Sequence, residues 1–128
     1  MRAGSVADMT SDELVARFVE ISIEQGKASA FFETARFNRL IPKLSAVVRE
    51  LRARPGDERH RLLKLYGHPD WQVRLNAAQR AYALDPDAAI ATFRAIKESR
   101  HYPWAGDAGM TLSALEMGIS KLPEDRLP

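Results

Sequence analysis

Histidines and paired carboxylates are the residues of this chain whose types could carry chemistry. His60, His68 and His101 have no partner at i, i+4 and form no H-E-x-x-H motif, so surface positions are favoured over metal ligation. Paired carboxylates can serve as a general acid and base, but here every pair stands at a predicted helix start, where it satisfies free N–H groups and the helix dipole. These pairs are Asp12/Glu13, Asp57/Glu58 and Asp85/Asp87.

Other kinds of catalytic site lack their sequence signatures. The seven glycines form neither G-x-G-x-x-G nor a Walker loop, and no serine has the context of a nucleophile elbow. Cysteine is absent, which excludes disulfides, thiolate metal sites and thiol catalysis, and suits a reducing cytoplasm. The sequence therefore predicts a protein that is not an enzyme, with no catalytic residue, no cofactor and no metal ligand.

The segment Arg49–Lys64 is the most basic part of a chain whose net charge is only +2. It holds six cations against three carboxylates. A solvated helix face explains this pattern, and the interleaved acids argue against a surface that tracks phosphates. A nucleic-acid-associated module that uses this segment stays open as the alternative function.

The elements that position all these residues are helices, because every strong periodicity is helical and no alternating stretch competes. A capping box at Thr10 and Glu13 predicts a first helix over Ser11–Gln25, with Gly26 as its stop. Pro42 predicts a kink in the second helix or two shorter helices. Six helices are predicted. The first covers 11–25, the third 57–66 and the fourth 68–84, and the fifth begins at Asp85-Pro86. The second begins near Ala28 and carries Leu40, Leu44, Val47, Val48 and Leu51, and the sixth carries Ala108, Leu112, Leu115 and Ile119.

The predicted organisation is one all-α domain over residues 11–119, with a flexible lead at 1–10 and a polar tail at 120–128. No apolar run reaches the ~18–20 residues of a membrane span. The first residues turn acidic and lack the apolar stretch of a secretory signal. We therefore expect a cytoplasmic location.

An internal repeat is visible when the second half of the chain is shifted by 31 residues. The shift pairs Pro55 with Pro86 and brings apolar and small residues into register. A period between 20 and 50 residues is typical of helical solenoids, in which each helix pair buries its face against its neighbours. The matching positions include Leu62/Phe93, Leu65/Ile96, Val73/Trp104, Ala77/Ala108, Ala78/Gly109, Ala81/Leu112 and Leu84/Leu115.

The segment GHPDWQVRLNAAQRAYAL resembles the second half of a HEAT repeat. Pro69, Val73, Arg74, Ala77 and Ala78 match that pattern. Over residues 12–118 the chain resembles a family of small, uncharacterised bacterial HEAT-like proteins, through LVxxFVE, FNRL, RELRARP, HPDWQVRLNAA and GDAGMTLSALEMG. The resemblance implies about six helices in three antiparallel pairs, arranged as a right-handed HEAT- or armadillo-like superhelix. By analogy with some small HEAT-like bacterial proteins that act as immunity partners of toxins, it also suggests an immunity or antitoxin role.

The small residues of this segment suggest close helix packing. Ala77 and Ala78 allow a neighbouring helix to approach, and Ala108-Gly109 is expected to repeat this surface. For Arg74 we expect a structural role, either in a pair with Asp70 or through a group of the adjacent helix pair.

Binding of another, unidentified protein is the function that remains when chemistry is set aside. Helical solenoids offer partners a face made of successive second helices, and large aromatics and arginine are typical of binding hot spots. The candidate partner-binding residues are Trp71, Arg74, Gln79, Arg80, Tyr82, Trp104 and Asp107.

Overall fold

The computed structural model describes residues 5–118 and confirms the all-α class, with no strand in that range. Ile119, the predicted tail 120–128 and residues 1–4 of the predicted lead lie outside the described residues. Within 5–118 no helix combines the length and apolar character that crossing a bilayer requires. The α-helices are α1 (Ser11–Ala30), α2 (Thr34–Ala53), α3 (Trp71–Arg80), α4 (Pro86–Ser99) and α5 (Trp104–Glu116), and 3-10 helices cover Val6–Asp8, Glu58–Gly67 and Tyr82–Leu84.

The chain divides into two compact units, residues 1–61 and 62–128. In the first, α1 packs against α2. The predicted capping box is confirmed: the Thr10 hydroxyl accepts from the Glu13 N–H at 3.1 Å, and the Glu13 carboxylate accepts from the Thr10 N–H at 2.8 Å. Leu14 and Phe18, which follow the box, are fully buried. The start of α1 therefore follows directly from the sequence.

The predicted stop at Gly26 is wrong, and so is the second-helix start at Ala28. Gly26 is buried within α1, and the helix continues to Ala30. Packing against α2 outweighs the backbone entropy cost of an interior glycine, which is about 1 kcal/mol relative to alanine. Pro42 does not divide α2 into two helices, because the carbonyl that its missing N–H leaves free, that of Asn38, belongs to an exposed residue and is open to water.

Residues 5–10 are held against the end of α2 by Arg54. Its guanidinium donates to the carbonyls of Val6 and Met9 and to the Ser11 hydroxyl, while its Nε donates to Glu50 at 3.0 Å. One side chain therefore satisfies four acceptors and fixes the chain that leads into α1.

The third predicted helix is a 3-10 helix rather than an α-helix, over Glu58–Gly67. Because a 3-10 helix has three residues per turn, side chains three apart share a face. Arg59 and Leu62 are buried and Leu65 is half-buried, which matches that period. Its counterpart in the 31-residue repeat is α4, an ordinary α-helix, so the two halves of the repeat differ in geometry.

In the second unit, α4 packs against both α3 and α5. The helix predicted over 68–84 ends at Arg80, and a 3-10 turn follows at Tyr82–Leu84. Ala78 and Ala108 are fully buried and share one core with Phe93 and other residues of the three helices. Gly109 is not a close-approach position, because a methyl group there would meet Lys97 at an ordinary 3.7 Å. The core residues are Leu75, Ala78, Ala89, Phe93, Ile96, Ala108 and Leu112.

Candidate functional site

Trp71 and Arg74 are brought together at the start of α3. Asp70 caps the helix, its carboxylate accepting from the Val73 N–H at 3.0 Å. The Arg74 guanidinium carbon lies 4.6 Å from the centroid of the Trp71 ring, and Arg74 Nε donates to the carbonyl of His68. His101 stacks on Trp71 at a centroid distance of 4.9 Å. Among the described residues Arg74 forms no ion pair with Asp70, and its contacts are those of a residue that holds the loop before α3.

Trp104 is tied into the interior of the same unit. Its indole Nε1 donates to the side-chain oxygen of Gln72 at 2.9 Å, and Gln72 donates to Asn76 at 3.0 Å. Gln72 is 2% exposed and Asn76 is 5% exposed. Neither amide is among the residues predicted from the sequence, although two polar residues at i, i+4 among the apolar positions of α3 are a signal for such a network.

The other candidate partner-binding residues lie on α3, on the 3-10 turn that follows it and on α5. Gln79 and Arg80 stand in the last turn of α3, roughly 12 Å along the helix axis from Trp71. Tyr82 packs against the same core as Trp71 and Trp104. Asp107 is exposed on α5, and partial desolvation raises the pKa of its carboxyl above the ordinary value. Among these candidates the structure shows a direct contact between Trp71 and Arg74.

Three of the six cations in the basic segment Arg49–Lys64 are paired with nearby carboxylates. Arg59 Nε and Nη2 donate to the two oxygens of Asp57 at 2.9 and 2.7 Å, and this pairing holds the pKa of Asp57 below its usual value. Arg61 donates to Glu58 and to Asp12, at 3.2 and 2.7 Å, and lowers the pKa of Glu58. Arg54 donates to Glu50, to the Ser11 hydroxyl and to the carbonyls of Val6 and Met9. These arginines therefore stabilise the fold locally rather than present free positive charge.

Exposed apolar side chains are the surface feature that the sequence analysis missed. In the second unit Tyr102, Met110 and Met117 are 69%, 70% and 64% exposed. Met117 caps the end of α5, seven residues or about two turns after Met110, and so lies on the same side of the helix, whereas Ala108 and Leu112 are buried. A shallow depression of about 460 Å³ is lined by both methionines and by Lys97, Gly106, Gly109 and Ala114. We call Tyr102, Met110, Met117 and this depression the α5 surface.

The first unit carries two further features. Phe31 and Phe32, between α1 and α2, are 74% and 89% exposed and are called the phenylalanine tip. A groove of about 390 Å³ lies on the same two helices, and we call it the α1–α2 groove. Its apolar lining is Val6, Ile21, Leu40, Ala46 and Val47, and its charged lining is Arg17, Glu20, Glu24 and Lys43.

Metal ligation has no candidate cluster in the part of the chain that the structure describes. No group of three His, Cys, Asp or Glu residues within 5–118 is arranged to hold an ion. His68 Nδ1 lies 3.0 Å from the backbone nitrogen of Asp70, and His60 Nδ1 lies 3.0 Å from the carbonyl oxygen of Asp57. Both rings contact neighbouring backbone, as expected for surface histidines.

Comparison with known proteins places the chain in a family. The model of a domain of unknown function, DUF2019, matches residues 12–116, so the chain belongs to the DUF2019 family. Among solved structures, the crystal structure of the protein RPA1889 from Rhodopseudomonas palustris CGA009 is similar, with 41% sequence identity and a TM-score of 0.85. The alignment covers 91% of this chain and 97% of that chain. None of the curated proteins matches.

Proposed function

We propose that this member of the DUF2019 family is a non-catalytic protein-binding module and that the α5 surface is its contact site. The observation that carries the proposal is the exposure of Met110 and Met117 on one face of a helix whose other face is already buried in the core. Large apolar side chains grouped on a surface are typical of interaction sites.

The chemistry of the α5 surface suits a helix of another protein. Methionine is flexible and polarizable, so it adapts to the shape of a partner side chain. Gly106, Gly109 and Ala114 in the lining are small, so a partner side chain can enter the depression. Lys97, also in the lining, can attract a carboxylate. We therefore expect an amphipathic helix with apolar side chains at its centre and an acidic residue at its border.

Trp71, Arg74 and Trp104 take a supporting role in this proposal. Trp71 stacks on His101, which directly precedes Tyr102 of the α5 surface. Trp104, at the start of α5, donates its indole N–H to Gln72 of α3. Both contacts fix the start of the segment that presents the α5 surface, so the candidate residues act through positioning.

The test is capture of partners by the immobilised full chain with and without the α5 surface. Met110→Glu combined with Met117→Glu introduces charge where the partner must pack, and the recovery of any specific partner should fall at least tenfold. The matched control is Arg94→Glu with Glu98→Lys on the exposed side of α4, which should capture the same protein as the wild type. Equal recovery by the methionine variant and the control would refute the α5 surface as the contact site, provided both variants melt as the wild type does.

The finer sequence predictions remain part of this proposal. Three antiparallel helix pairs in a HEAT-like superhelix are supported by the Val73–Ala78 motif on α3, and an experimental structure with measured interhelical angles tests them. An immunity-type role in a bacterial cytoplasm is the most specific version of the function. It predicts that a toxin encoded next to this gene is neutralised by co-expression of this chain but not of its methionine variant.

Nucleic-acid binding through Arg49–Lys64 has less support. Arg54, Arg59 and Arg61, three of its six cations, are engaged with carboxylates. A fluorescence titration of duplex DNA at several salt concentrations tests this alternative. Micromolar binding with a steep salt dependence, lost in Arg49→Glu with Lys64→Glu, would favour it over the protein-binding module.

A further inference from the structure

The turn between α1 and α2 places a phenylalanine where the backbone favours glycine. The Glu33 N–H donates to the carbonyl of Ala28 at 2.8 Å, and the Phe32 N–H donates to that of Ser29 at 3.2 Å. These two bonds form a Schellman motif, whose residue after the helix cap is left-handed and is usually glycine. Phe32 occupies this position with a φ of 59°. A bulky side chain is strained in this conformation, because its Cβ crowds the following carbonyl.

Neither phenylalanine of the tip compensates for this strain within the chain. Phe32 is 89% exposed and Phe31 is 74% exposed, so both rings lie in water. Glycine at position 32 would remove the strain and the exposed ring at once. Backbone strain clusters at functional sites, so a strained residue whose side chain contributes nothing to the core is a candidate for a contact outside the folded unit.

The α1–α2 groove offers a site of suitable size and lining for that contact. It measures about 390 Å³ and has an apolar lining that includes Ile21, Leu40 and Val47. Its charged lining holds two cations and two carboxylates, so the balance is neutral. Glu24 is paired with both Lys27 and Arg36, which satisfies the charges nearest the tip. Glu20 is paired with Arg17, so both carboxylates of the lining keep a partner when a neutral apolar ring enters.

We propose that the phenylalanine tip of one copy of this chain inserts into the α1–α2 groove of a second copy, and that the exchange is reciprocal. The tip at Phe31 and the groove at Ile21 are ten residues apart on α1, about 15 Å along its axis. A twofold axis between them brings each tip over the groove of the other copy, and one surface patch supplies both halves of such an isologous interface.

The area available suits a dimer of standard size. Phenylalanine side chains bury roughly 150–250 Å² each, so four of them give about 600–1,000 Å², and the groove walls that they cover add a similar area. The sum falls near the roughly 1,200–2,000 Å² of stable specific interfaces. A lipid bilayer is a less suitable partner, because Glu33 is exposed directly after Phe32 and would enter the membrane interface with it. The tip and the groove both belong to residues 1–61, so the dimer is independent of the α5 surface.

Sedimentation velocity of the full chain over a range of concentrations tests the dimer. The wild type should show a dimer that dissociates on dilution. Phe32→Gly should sediment as a monomer, yet melt roughly 3–5 °C higher than the wild type at concentrations where both are monomeric, because glycine relieves the turn. Ala46→Arg, which fills the groove with a long side chain, should also be monomeric, whereas Ala53→Arg at the exposed end of α2 should keep the dimer.

Mixing the two monomeric variants tests the reciprocal exchange itself. Phe32→Gly keeps an intact groove and Ala46→Arg keeps an intact tip, so the mixture should form a heterodimer that neither variant forms alone. A wild type that stays monomeric at several hundred micromolar, a Phe32→Gly variant that still dimerises, or a mixture without heterodimer would each overturn the proposal. Tip-dependent sedimentation with vesicles of anionic phospholipid, without a dimer in solution, would overturn it in favour of a membrane contact.

Discussion

Trp104 donates its indole N–H to the side-chain oxygen of Gln72 at 2.9 Å, and this bond joins the first turn of α5 to α3. Gln72 is buried, and its amide group donates in turn to Asn76. If this donor were removed, the buried side-chain oxygen of Gln72 would still carry the free-energy cost of leaving water, but it would lack the hydrogen bond that offsets that cost. Trp104 is therefore part of the scaffold of the second unit.

Trp104→Phe should lower the free energy of unfolding by about 1–3 kcal/mol, because the ring is retained but Gln72 loses its donor. Urea denaturation monitored by circular dichroism measures this change. Tyr102→Phe is the matched control, since Tyr102 is exposed, and its change should stay within about 0.5 kcal/mol. A Trp104→Phe variant as stable as the wild type, but defective in partner binding, would return Trp104 to the contact surface.

Asp57→Asn should make stability less dependent on acidic pH. Arg59, 4% exposed, lowers the pKa of the Asp57 carboxyl below 3.8, so the pair stabilises the fold above the unfolded pKa and this contribution is lost as pH falls through the lower folded value. Asparagine tolerates the positive φ of 51° at this position, so the substitution tests the charge and not the turn. We expect a loss of about 1–3 kcal/mol near pH 7 that shrinks below pH ~4.

Glu20→Gln is the control for Asp57→Asn. Glu20 pairs with Arg17 at 4.0 Å, but its side chain is 74% exposed, so solvent screens the interaction. The free energy of unfolding of the Glu20→Gln variant should match that of the wild type across the same pH series of denaturation curves. A Glu20→Gln effect as large as that of Asp57→Asn would mean that general charge, and not the Asp57–Arg59 pair, controls acid stability.

Tyr66→Phe should leave stability unchanged or raise it by up to about 1 kcal/mol at pH 7, because the buried Tyr66 hydroxyl has no hydrogen-bond partner among residues 5–118. Burial, with the nearby Asp85 charge, raises the pKa of Tyr66 to about 12. The neutral phenol therefore favours the folded state, and this preference is lost as pH rises from about 10 through 12. Thermal melts from pH 8 to 12 should show a smaller alkaline decline for Tyr66→Phe than for the wild type. An equal decline in both proteins would show that Tyr66 ionises without coupling to folding.

The starts of α1 and α4 could be predicted from the sequence, because each depends on a capping pattern of neighbouring residues. Thr10 with Glu13 at α1 and Asp85 with Pro86 at α4 are local patterns, and both are confirmed. The end of α1 could not be predicted in the same way. Gly26 is a local stop signal, but packing of the whole helix against α2 decides where α1 ends.

The candidate site could be predicted less well than the fold. Trp71 and Trp104 were predicted as binding residues because tryptophan is common in binding sites. The residue type does not show whether the side chain already has a hydrogen-bond partner within the fold, and Trp104 is bonded to Gln72. Phe31, Phe32, Met110 and Met117 were overlooked because apolar residues are expected inside. Their exposure is decided by the direction of a turn and by which face of α5 meets the core.

Ala78→Leu should destabilise the second unit, because the alanine is fully buried beside Phe93 and Ala108 in the core between the helices. The small side chain of Ala78 suggests a close approach of neighbouring helices, and its burial among α3, α4 and α5 is consistent with that role. Three extra carbons force neighbouring side chains or helices to move, at a cost of about 1–3 kcal/mol.

The matched control for Ala78→Leu is Ala91→Leu, because Ala91 is exposed on α4 and both changes add the same atoms to a helix. Ala91→Leu should stay within about 0.5 kcal/mol of the wild type in urea denaturation. If Ala78→Leu is equally harmless, the core tolerates a larger spacing between α3 and its neighbours. In that case alanine at this position does not set the distance between the helices, and the close-packing role inferred for the small residues of the Val73–Ala78 motif is wrong.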